Sequence, residues 1–120
     1  MQLPEPLLQQ VSTYLQQQGV LAAWLYGSFA QGTANQQSDI VLALLLPESS
    51  NSWQQLPEFD SALSDLNQRT VNSISIIEAP TPLAYEAIEG KRLFGEGQAM
   101  LIEQRVWSKW EDFKYWSQQE

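Results

Sequence analysis

The 120-residue chain contains no cysteine and no histidine. Those absences exclude disulfides, thiolate metal sites, Cys or Ser-His-Asp nucleophilic catalysis and imidazole acid–base chemistry. Any metal ion must then sit on oxygen ligands, which selects magnesium, manganese or calcium. Basic residues are scarce too: six Lys and Arg stand against fourteen Asp and Glu, for a net charge of −8. All six (Arg69, Lys91, Arg92, Arg105, Lys109, Lys114) lie after residue 68. A basic stripe able to neutralise phosphates is missing, which argues against direct nucleic-acid binding as the main activity. Only the cluster from Arg92 to Lys114 offers an exception. No apolar run approaches the ~18 residues of a membrane span, and the N-terminus lacks a basic-then-apolar leader. A cytoplasmic protein without a membrane partner is expected.

What is present suits one folded domain over residues 1–120, with 43% apolar residues and enough chain for a real core. Leu7, Leu8, Val11, Tyr14 and Leu15 recur at helical spacing behind Pro4 and Pro6. Val20–Tyr26 and Ile40–Leu46 are short apolar runs and read as buried strands; the second must be covered on both faces. A helix follows around Phe59, Leu63 and Leu66, with a restart expected after Pro57 and Asp60 or Ser61 as its cap. Val71–Ile77 alternates like a half-exposed edge strand. Pro80 and Pro82 open a short helix that Gly90 ends, Lys91–Gly97 reads as a short extended piece, and a helix runs on from Gln98. The order predicts an α/β (α+β) domain with a small mixed sheet of three or slightly more strands and flanking helices.

Chemistry concentrates between Gly27 and Leu46. Gly27 permits a tight turn after the first strand and lets a phosphate approach the backbone N–H groups, with the Ser28 hydroxyl as a further donor. A helical turn from Phe29 would point its positive end at the same anion. Asp39, opening the next strand, could hold a magnesium ion against those phosphates. It reads equally as a turn aspartate bonding nearby N–H groups. In the last helix Ala99, Ile102, Val106, Trp110 and Phe113 form the packing stripe. Trp107 and Trp116 lie off it and are candidate partner-binding residues.

The run Gly27-Ser28, ten residues, then Asp39 between two apolar strands resembles the nucleotidyltransferase superfamily that includes DNA polymerase beta. Within that superfamily the chain looks most like the minimal nucleotidyltransferase (MNT) antitoxins found beside HEPN toxins. Pro82–Phe94 and the closing helix with Asp112-Phe113-Lys114 are also similar to the family. The resemblance implies a nucleotidyltransferase-like fold, ATP and Mg2+ as ligands and a HEPN-type toxin as partner. It also assigns Asp39 as catalytic and metal-binding residue, with Gly27 and Ser28 as the cofactor-binding turn.

Three positions depart from the family pattern. Its second carboxylate falls on Val41, the third on a strand offering only Asn72, Ser73 and Ser75, and a basic residue of the Gly-Ser loop on Gln31. Glu78 is the nearest candidate for a displaced carboxylate and reads equally as a solvated strand-end residue. The expectation is a catalytically impaired antitoxin that acts by binding its toxin. Two rivals stand beside it: an active enzyme moving a nucleotide from ATP to a hydroxyl such as a toxin tyrosine, and a nucleotide sensor without turnover.

Overall fold

A computed structural model describes residues 1–118. Helix α1 (Glu5–Gln17) leads into strand β1 (Ala22–Tyr26), the one-turn helix α2 (Ser28–Gln31) and strand β2 (Ile40–Leu45). Helix α3 (Ser52–Asn67), strand β3 (Val71–Ser75), helix α4 (Thr81–Ile88), strand β4 (Lys91–Phe94) and helix α5 (Glu96–Gln118) complete the chain. The sheet has four strands in the order β3-β2-β1-β4. β1 runs antiparallel to both β2 and β4, and β2 runs parallel to β3.

Helices cover both faces. Side chains two apart share a face of a strand, so Leu25, Leu42 and Leu44 meet Leu8, Val11 and Leu15 of α1 and Phe59 and Leu63 of α3. The alternate residues Trp24, Ala43 and Leu45 meet Ala84 and Ala87 of α4 and Ala99, Ile102 and Val106 of α5. Trp24, Leu42 and Leu44 are at most 1% exposed, and each such side chain contributes roughly 1.5–3 kcal/mol of burial. This accounts for the unbroken apolar run of β2: neither face meets water.

Three sequence expectations change. Lys91–Phe94 is a fourth strand, paired with β1 around a bulge at Ala23/Trp24. Gly95, at φ +80, lets the chain pass so close to β1 that an added Cβ would lie 2.2 Å from the Leu21 carbonyl oxygen. Helix α3 runs through Pro57 without a restart. The carbonyl that loses its bond to Pro57 belongs to Trp53, in the opening turn of α3, and the helix continues with that one bond forgone. Asp60 is accordingly no cap: its carboxylate accepts a 2.5 Å hydrogen bond from the Ser73 hydroxyl on β3. Ser64 Oγ accepts from the Val71 N–H at 2.9 Å, so α3 covers the outer edge of β3 that would otherwise invite another strand.

Candidate functional site

At the end of β1 the backbone of Gly27 adopts φ 74, ψ −153, a region that only glycine occupies without strain. The Ala30 and Gln31 N–H groups both donate to the Gly27 carbonyl at 3.1 Å, and Gly32 closes the turn in the left-handed conformation. The turn expected from Phe29 is thus present. With four residues it carries little of the dipole of a full helix. Ser28 is half-buried and Gln31 exposed.

Between α2 and β2 the loop is tied by its own side chains. Asn35 Oδ1 accepts from the Gln37 N–H at 2.8 Å, and Ser38 Oγ from the Asn35 N–H at 2.9 Å. Arg69, the first cation in the chain, then reaches back across the fold. Its Nη1 donates to the carbonyls of Asn35 (3.3 Å), Gln36 (2.9 Å) and Ser38 (2.7 Å), and its guanidinium lies 5.0 Å from the centre of the Phe29 ring. Sequence reasoning missed this clamp, because a contact 31 to 34 residues away leaves no periodic trace. Its only signal was a lone cation closing a basic-free stretch. The neighbours make the turn bonds, and Asp39 stands exposed just before β2.

Register decides which β3 residue belongs to the site. Tyr26 pairs with Val41, and Val41 pairs with Asn72, forming one row across β1, β2 and β3. Val41 and Asn72 therefore belong to the face of the sheet that carries α4 and α5. Ser73, by contrast, turns to Asp60 on the α3 side, and burial raises that carboxyl's pKa, opposed by its bonds to Ser73. Val41 is half-buried and packs in the α4/α5 cluster. A Cβ built on Gly27 would lie 2.8 Å from Val41 Cγ2. Beside it, burial and the nearby Glu86 carboxylate raise the Tyr26 phenol above its ordinary pKa.

Glu78 lies elsewhere. β2 and β3 run parallel, Asp39 precedes β2 and Glu78 follows β3, so the two carboxylates sit at opposite ends of the sheet. Glu78 Oε2 instead accepts a 2.5 Å hydrogen bond from Ser52 on α3. Among the described residues no three Asp or Glu side chains come together in a metal-binding group. A two-metal centre needs carboxylates bridging ions ~3.5–4 Å apart. Asp39 beside a valine and an asparagine does not supply that donor set.

The other candidates are dispersed. Trp107 and Trp116 are 54% and 68% exposed. Nine residues apart on a helix, they face opposite sides of α5 and cannot share one contact. Trp107 lines a recess of about 560 Å³ with Arg92 and Glu103. There Glu103 accepts from the indole N–H of buried Trp24 at 2.9 Å and from Arg92 Nε at 3.0 Å and Nη2 at 2.5 Å. These bonds, Arg92 first, hold the Glu103 carboxyl below its ordinary pKa against the opposing effect of burial. Lys91 pairs with Glu5 and Lys114 with Glu111, which among the described residues leaves Arg105 and Lys109 as the unpaired half of the Arg92 to Lys114 cluster. Among the described residues no helix is long and apolar enough to cross a membrane.

A mixed four-stranded sheet with a Gly-Ser turn after its first strand and an aspartate opening the second defines a nucleotidyltransferase-like domain. Residues 9–99 match the family described as polymerase beta nucleotidyltransferases, and the chain belongs to that family. No curated protein matches it at a significant level. Several solved structures share the fold. A toxin–antitoxin crystal structure with AMP-PNP superposes with a TM-score of 0.82 at 21% identity, over 92% of this chain and 92% of that chain. The MntA–HepT toxin–antitoxin gives 0.78 at 17% identity, over 96% and 93%. The tri-AMPylated HEPN toxin of Shewanella oneidensis in complex with MNT antitoxin gives 0.78 at 17%, over 95% and 92%. The fold is that of the MNT antitoxins in HEPN toxin–antitoxin complexes.

Proposed function

We propose that this chain is an MNT-type antitoxin that neutralises a HEPN-type toxin by binding it, with nucleotidyl transfer lost. One observation carries the loss of chemistry: Val41 packs on the Gly27 turn, paired in register with Asn72, where the family pattern expects carboxylates. Removing one charge-stabilising group from such a site costs ~3–4 kcal/mol in the transition state. Here two are replaced by neutral side chains, and Glu78 stands too far along the sheet to substitute. The toxin partner is supported by the fold shared with antitoxins of HEPN complexes. Neutralisation by occlusion requires a standard interface of about 1,200–2,000 Å².

A second reading, nucleotide binding without turnover, draws on the preserved Gly27-Ser28 turn and on the AMP-PNP present with one structural relative. The two readings separate in a ribonuclease assay of a HEPN-type toxin that this chain is proposed to neutralise. Binding alone predicts full inhibition without ATP or magnesium, and no loss on Asp39→Ala. Inhibition that requires ATP and vanishes in Asp39→Ala overturns occlusion as the mechanism.

A further inference from the structure

At the end of β2 and β3 opposite Asp39, the connection from Ile76 to Thr81 separates two recesses of unlike charge. On one side, α3, β3 and α4 enclose a cleft of about 490 Å³ whose lining includes the carboxylates of Asp60 and Glu78, with the indole of Trp53 at its mouth. On the other, α5 and the same connection form a notch of about 70 Å³ lined by Arg105 and Lys109. Among the described residues these two cations alone make neither an ion pair nor a side-chain hydrogen bond. Ile77, 56% exposed, projects between the recesses, and Ala79 lines both.

Helix α5 extends the notch. Arg105, Lys109, Phe113 and Trp116 are spaced by four, four and three residues, which places them on one helix face. Phe113 and Trp116 are 43% and 68% exposed. Exposed aromatics beside isolated cations mark an interface better than a solvated face does.

We propose that this corner is a homodimer interface: a second copy of this chain places its Arg105 and Lys109 at the Asp60–Glu78 cleft and offers its own cleft in return. The observation that selects a second copy is self-complementarity. In a two-fold contact residue i meets j while j meets i, and an axis passing near Ile77 brings each acidic cleft onto the partner's cationic notch. Ile77 then meets its own counterpart. The pairing leaves the Gly27–Asp39 end of the sheet free, and it stands independently of the toxin-binding reading.

The test uses purified full-length chain in sedimentation equilibrium. The native chain associates to twice 13.6 kDa with rising concentration. Lys109→Glu alone and Glu78→Lys alone each weaken the dimer about tenfold or more, because each places like charges at both contacts. Mixing the two variants restores it, since both contacts of the mixed dimer then pair opposite charges. Unchanged circular dichroism confirms that these exposed substitutions leave the fold intact. A native chain that stays monomeric, a dimer indifferent to either reversal, or a mixture no tighter than its parents overturns the proposal.

Discussion

Val41 fills the space above Gly27: the Cβ that any other residue would carry at position 27 comes within 2.8 Å of Val41 Cγ2. The backbone there is also in a region closed to side chains. Gly27→Ala therefore meets two separable obstacles, dihedral strain and a methyl contact. The substitution is expected to destabilise the domain by about 1–3 kcal/mol in urea unfolding. Adding Val41→Ala relieves the contact and leaves the strain, so the double variant loses less than the sum of the single ones. Strict additivity would show that the two residues do not touch.

Arg69 holds the loop in front of Asp39 through three carbonyls and the face of Phe29. Arg69→Ala is expected to speed amide exchange through residues 35–39 and to cost about 1–3 kcal/mol. Arg69→Lys recovers little, because an ammonium cannot bond the carbonyls while lying flat on the ring. Exchange unchanged in Arg69→Ala would mean that the loop holds itself through Asn35 and Ser38.

Glu103 joins Trp24 to Arg92. Its carboxyl titrates below the ordinary range chiefly because of Arg92. A depressed folded-state value means that the ionised form stabilises the fold. That contribution is complete above the unfolded pKa of ~4.3 and is lost as pH falls through the lower folded value. Glu103→Gln keeps an acceptor for the indole but loses the ion pair. It should be less stable than the native chain at neutral pH, and the gap should close on acidification. Glu103→Ala leaves the buried indole N–H without a partner, costing about 1–3 kcal/mol at neutral pH. Thermal unfolding across pH reads both, and a Glu103→Gln gap that persists into acid would reject the ion-pair account.

Much of the fold was legible because its signals are local. β2 announces itself as an uninterrupted apolar run, and Ala99, Ile102 and Val106 keep the spacing that buries them. β4 escaped assignment as a paired strand because it is four residues long, begins with Lys91 and Arg92, and buries none of its residues fully. Its place is set by β1. Pro57 suggested a break, yet α3 runs through it with a single backbone bond forgone. Of the candidate site, the Gly27-Ser28 turn and the position of Asp39 just before β2 were readable from spacing. The choice of Asn72 over Ser73 and Ser75 was not, because register comes from strand pairing. Arg69 and the Trp24–Glu103–Arg92 bonds depend on the folded chain and have no sequence period. The last helix misled in one respect: Phe113 keeps the packing spacing yet is 43% exposed, stacked on Trp110 beyond the buried stripe.

A valine and an asparagine where carboxylates are expected are proposed to leave this nucleotidyltransferase fold without its reaction. Intact mass spectrometry of the proposed HEPN-type partner, incubated with this chain, magnesium and ATP, tests that loss most directly. Val41→Asp combined with Asn72→Asp serves as the parallel reaction. The native chain is predicted to leave the partner's mass unchanged while the two proteins co-purify, and the double variant is the one expected to regain any transfer. A nucleotide-sized mass added by the native chain, and abolished by Asp39→Ala, would contradict the account.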